Sequence, residues 1–244
     1  MRAAFNAVTL TLESVLSKAH SVRTRFCIVA RRAATILVAA CVLGSALPSV
    51  ACAAGLAAFS RDYSNDTFDA ISSLALPADA PQWDRVKRIV GRLCAELGET
   101  GWSVVVFQEA KMPPNMDLPA FAMPGKRVAV SDWEASSATY DSLAFMIAHE
   151  MGHVELDHQT QTWELILRQT GIHPRSWTDL AGHAGVALPL MRQQEYEADK
   201  FGYALAQMAG FDAAAGARGL LSHLESDPLH PNPADREAAL GIQP

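Results

Sequence analysis

One segment constrains this 244-residue chain more than any other. The nearly unbroken apolar run Ser142-Leu143-Ala144-Phe145-Met146-Ile147-Ala148 leads directly into His149-Glu150-Met151-Gly152-His153. Leu143, Met146, Ile147 and Val154 recur at i, i+3, i+4 and i+11, a spacing that predicts a buried helix. On such a helix, residues four apart lie roughly 40° apart around the axis and about 6 Å along it. His149 and His153 therefore share a side, next to the apolar stripe, and together can bind one zinc ion. Glu150 is turned about 100° from His149, which puts its carboxylate beside the metal and not on it. Three ionisable groups bordering a core are costly without a partner, and a cation is the partner they have in common.

Two imidazoles leave a third ligand to be found. A third His six residues after His153 is absent, because Gln159 stands there, and Leu156 stands where a turn glycine would precede it. On a continued helix His158 lies about 180° from His149, out of reach of the same ion. In Glu195-Tyr196-Glu197-Ala198-Asp199-Lys200-Phe201-Gly202, Glu195 and Asp199 share a helical face with Ala198 and Gly202, while Glu197 points almost oppositely. Small residues beside the acids imply close packing on another helix with the acids turned inward. Glu195 is read as the third ligand, and Asp199 as the acceptor that orients a metal-bound His. The competing reading is a solvated acidic face.

These motifs, taken in order, resemble the HtpX-like, CAAX-prenyl-protease-type zinc endopeptidases. Ala120-Phe121-Ala122-Met123-Pro124-Gly125 resembles the family segment before a short strand. His149 to His153 with His158 resembles its extended metal helix. Glu195-x-x-Ala198-Asp199-x-x-Gly202 matches its second helix, and His230-Pro231 with Arg236 resembles its late signature. The likeness covers roughly residues 118 to 240. Pro119, Lys126 and Glu237 depart from the family pattern. The resemblance implies a small α+β gluzincin-type domain with a short sheet, a metal-binding helix and a second ligand helix. It also implies one Zn²⁺ held by His149, His153 and Glu195, a zinc-activated water with Glu150 as general base, and a polypeptide substrate. For the donor that stabilises the oxyanion, resemblance and position favour His230; Tyr196, Tyr203 and His223 are further candidates. Arg236 is either part of the site or a structural ion-pair partner.

The amino terminus bears on compartment. Residues 1–32 carry six basic residues against Glu13 alone, Ala33 to Leu47 is an uncharged apolar run, and Ala51-Cys52-Ala53 offers a small-x-small cleavage site. That order predicts a signal peptide over 1–53 and a metallopeptidase domain over 54–244, exported to a periplasm or secreted. The alternatives are an anchor through residues 33–47 or a lipid on Cys52, so membrane association is expected through this segment only. Beyond residue 53 the chain has 14 basic and 25 acidic residues, which argues against nucleic acid as a partner. Cys94 is the one cysteine outside the leader, so no intramolecular disulfide is expected after cleavage.

Further expectations complete the reading. Helices are predicted over 81–98, 139–158, 189–209, 213–225 and 233–241, and a buried strand over 104–107. A second strand over 126–130 is placed at a sheet edge, where an extended substrate backbone could pair. Residues 163–190 read as a connector flanking the cleft. The function expected is zinc-dependent endoproteolysis of unfolded or misfolded exported proteins. The alternative is a zinc-containing chaperone or adaptor that binds clients and rarely cuts them.

Overall fold

The computed structural model describes residues 56–112, 119–172, 182–224, 228 and 230–242. The leader expected over residues 1–53 lies outside these. The elements are α1 (Leu56–Ser72), α2 (Pro81–Leu97), β1 (Ser103–Phe107), β2 (Ala120–Met123), β3 (Arg127–Ser131), α3 (Asp132–Ser137), α4 (Tyr140–Glu155), α5 (His158–Thr170), α6 (Leu188–Met208), α7 (Ala213–Leu221) and α8 (Pro233–Ala239). Mostly helical with one three-stranded sheet, this is the α+β arrangement the sequence implies.

The sheet order is β1-β3-β2, with β1 parallel and β2 antiparallel to β3. Strand β3 is therefore central, which corrects its expected place at an edge. Its Val128 and Val130, with Val106 of β1, face α2 and α4. Ala129, with Val105 and Phe107, faces α1 through Ile71 and Phe68. Burial on both faces explains why Val104-Val105-Val106-Phe107 is continuously apolar and not alternating. The outer side of β1 is partly covered by the segment after α1, where Leu76 N donates to Val106 O at 2.8 Å and Gln108 N to Leu74 O at 2.9 Å. The outer side of β2 has no strand partner among the described residues.

Helix α2 starts with Pro81 in its first turn and stops at Gly98, whose φ of 64° lets it cap the last carbonyls. It buries Val86, Ile89 and Leu93. Helix α4 is capped by Thr139, whose hydroxyl accepts from Ser142 N. Every residue from Ser142 to His149, and then Met151 and Gly152, is buried, so α4 lies at the centre of the domain with α6, α7 and β2 packed around it.

Two expectations fail together. Helix α4 ends at Glu155, three residues early, and Asp157 takes a left-handed conformation with φ 53°. The chain then restarts as α5, which runs on into what reads as a connector, and buries His158, Thr162, Trp163 and Ile166. A left-handed Asp, tolerated because its short polar side chain can bond locally, carries little sequence signal.

Candidate metal centre

Helices α4 and α6 meet through small residues. A Cβ added at Gly202 would lie 2.6 Å from His149 N and 2.8 Å from its Cα, and one at Gly152 would lie 3.3 Å from Ala198 Cα. This contact brings the acids of α6 against the histidines of α4. One atom from each of His149, His153 and Glu195 lies within 4.8 Å of the others, a set that could hold a metal ion. His149 Nε2 is 3.1 Å from His153 Nε2. Glu195 places Oε1 3.3 Å from His153 Nε2 and Oε2 3.5 Å from His149 Nε2.

The donor set fits a cation. His149 Nδ1 is 3.0 Å from Asp199 Oδ1; a carboxylate only accepts, so the ring proton sits on Nδ1 and Nε2 presents a bare lone pair. Asp199 accepts two hydrogen bonds from Arg236, Nε to Oδ2 and Nη2 to Oδ1, both 2.7 Å. Arg236 Nη1 lies 3.4 Å from Glu195 Oε2, yet that oxygen is buried with no hydrogen-bond partner. Imidazole nitrogens converging with a carboxylate oxygen that lacks a hydrogen-bond partner are the N and O donors zinc takes.

Electrostatics agrees. Burial pushes Glu195 towards its acid form, but His153, with His230 and His149 behind it, holds it well below the usual carboxylate range. Burial alone would lower the His153 pKa; Glu195, with Glu150 adding to it, raises it instead. A site that draws a proton onto an imidazole is short of positive charge. Asp199 is likewise held low, burial being outweighed by Arg236 and His149.

The other sequence candidates are placed as follows. Glu150 is half-buried on α4 and contributes no atom to the three-residue set, although its charge reaches His153 and Arg236. His230 Nε2 lies 4.0 Å from Glu195 Oε2, and Arg192 Nη1 donates to the His230 carbonyl at 3.4 Å. Tyr203 packs against the core. Tyr196 lines an open cavity of about 590 Å³ with Leu188, Pro189, Arg192, Gln193 and Pro228. His223 follows the end of α7, its backbone N donating to Leu220 O at 3.2 Å.

Sequence reasoning places two groups wrongly. His158 is not across the helix from the site: it opens α5, and its Nδ1 is 2.9 Å from His153 Nδ1. Burial, and the charge of His153, push its pKa down to about 4. Glu197 does not point clear of this region either, since its Oε2 lies 3.3 Å from His158 Nε2. Arg236 is 2% exposed and bonded to Asp199; its sequence signal is its place after His230-Pro231 in the late signature that resembles the family's.

No curated protein matches the chain. Residues 81–241 match Peptidase family M48, a span covering α2 through α8 and all three candidate ligands. The chain therefore belongs to peptidase family M48, whose members are zinc-dependent metallopeptidases acting on polypeptides.

Proposed function

We propose that this metallopeptidase is an endopeptidase for unfolded or misfolded exported proteins, with Glu150 as its general base. The observation that carries the mechanism is the position of Glu150 beside His149, close enough to act on His153 electrostatically yet outside the ligand set. His149, His153 and Glu195 would hold the ion, and zinc bound there would supply a Lewis acid for the scissile carbonyl and render a water acidic enough to lose a proton near neutral pH. Glu150 accepts that proton as the water oxygen bonds to the carbonyl carbon, and delivers it to the departing amine nitrogen as the C–N bond breaks. His230, whose Nε2 lies 4.0 Å from Glu195 Oε2, is the donor proposed for the oxyanion.

The substrate backbone is assigned to β2. Ser131 N donates to Pro119 O at 2.9 Å, so residues 119, 121 and 123 face β3 in the antiparallel ladder, and Ala120 and Ala122 turn their N–H and C=O groups outward. Strand β2 also packs on α4. An extended peptide added there runs along the metal helix.

Export rests on the basic stretch, apolar run and cleavage site of residues 1–53. Among the described residues no helix is long and apolar enough to cross a membrane. Family membership favours hydrolysis over client binding alone. The test is Glu150→Gln in the full chain. Zinc content should be unchanged, while casein cleavage should fall about 10²–10⁴-fold, the usual cost of losing a general base. Cleavage at the wild-type rate would remove Glu150 from the mechanism.

A further inference from the structure

Two histidines bind the ion in this reading, and each turns its other ring nitrogen to a partner. For His149 that partner is Asp199. For His153 it is another imidazole. We propose that His158, backed by Glu197, is the positioning residue of His153, fixing its tautomer and ring plane so that Nε2 faces the metal. The inference rests on the metal-centre reading above and adds a residue to it.

Proton placement follows from the end of the chain of contacts. Glu197 only accepts, so His158 Nε2, 3.3 Å from Glu197 Oε2, carries a hydrogen. A second proton on His158 Nδ1 would set an N–H against the N–H that His153 needs there if its Nε2 is to face a cation. His158 is thus the Nε2–H tautomer, its Nδ1 accepts from His153 Nδ1–H across 2.9 Å, and the His153 Nε2 lone pair is free for the ion. A metal-bound imidazole almost always donates its second N–H in this way, which orients the ring and raises its basicity.

The surrounding structure is arranged around this contact. The left-handed turn at Asp157 ends α4 and brings His158 back over His153, ring centroids 5.0 Å apart and planes at 76°. His158 is 2% exposed. Gln194, next to the ligand Glu195, donates from Nε2 to the His158 carbonyl at 3.0 Å and accepts from Thr162 Oγ1 at 3.0 Å. Gln193 Nε2 donates to Glu197 Oε1 at 2.7 Å. Helix α6 therefore supplies the third ligand and also fixes the backbone and the carboxylate that hold His158. A residue that only filled space would require neither ring nitrogen to be matched.

The test is zinc affinity of the full chain, measured by competition with a chromophoric chelator, with cobalt(II) absorption as a second readout. His158→Phe keeps the volume and removes both nitrogens. It should weaken zinc binding by roughly 10–100-fold, the range seen when such outer partners are removed, and should shift the cobalt bands. His158→Asn, which returns an acceptor near the Nδ1 position, should restore most of the affinity and the wild-type spectrum. Glu197→Leu, at a more exposed position, should weaken binding by a smaller factor without disturbing the fold. His158→Phe and Glu197→Leu both binding zinc as tightly as wild type, while Glu195→Ala loses it, would overturn the proposal and leave the metal centre standing. Glu195→Ala retaining zinc at wild-type affinity would overturn the metal centre itself.

Discussion

Glu134 and Glu195 are equally buried, each 9% exposed, and their carboxyls shift in opposite directions. Glu134, in the first turn of α3, is pushed up to about 7, first by burial and then by the charge of Glu109. Glu195 is held well below the ordinary value despite greater desolvation, because His153, His230 and His149 surround it. Asp199, 1% exposed, behaves as Glu195 does because Arg236 is bonded to it. Burial penalises the charged form at both places, and more at Glu195, so what sets them apart is the supply of positive charge. The contact of α4 with α6 is organised to keep buried acids ionised and to hold a cation; the start of α3 is not.

The largest expected effect comes from removing the cation that belongs to the protein. Arg236→Met leaves Asp199 and Glu195 with less compensation in the core, and breaking such a buried pair costs about 3–5 kcal/mol. Urea unfolding in the presence of a chelator would measure this without a contribution from zinc. A loss below about 1 kcal/mol would mean that the histidines alone keep these acids charged.

The second test concerns Glu134. Its folded pKa of about 7 lies above the ordinary carboxyl value of 4.5, so between those values the folded state keeps a proton that the unfolded chain has released. Stability therefore falls as pH rises through that window and is level above it. Glu134→Gln should abolish the slope and gain at most about 3 kcal/mol at pH 8, a ceiling because the α3 N-terminus favours the charged form. The depressed acids act with the opposite sign. Asp199 and Glu195 stabilise the fold above the ordinary carboxyl range, and that stabilisation is lost as pH falls below it. Unfolding midpoints from pH 3 to 8 for wild type and Glu134→Gln would separate the two contributions.

The smallest of these effects tests the helix contact itself. Gly202→Ala sets a Cβ against the His149 backbone; since backbone cannot rotate away, overpacking should cost about 1–3 kcal/mol. It should also lower zinc affinity by displacing His149. Thermal unfolding and chelator competition on one preparation would show whether stability and affinity fall together.

Much of this centre is legible in the chain because it lies on two helices. Four-residue spacing puts His149 with His153 and Glu195 with Asp199, and Ala198 and Gly202 mark the face that permits close approach. Period and side-chain size are local properties that sequence records directly. The sheet is less legible. Arg127 to Val130 reads as an edge because it alternates, yet pairing order depends on the distant β1, which covers its other side. His158 is illegible for a related reason: a helix continued through it turns its ring away from the site, and one left-handed residue, Asp157, turns it back. Arg236 reaches Asp199 across 37 residues, a separation no local pattern encodes.

The central claim is that α4 and α6 hold one zinc ion between them. Crystals of the full chain, measured by anomalous diffraction at the zinc edge, test it most directly. The account expects a single strong peak at about 2.0–2.2 Å from His149 Nε2, His153 Nε2 and a Glu195 oxygen, the usual zinc bond lengths to such donors. Zinc-loaded protein with its peak on other residues, or with no peak between these three, would contradict it.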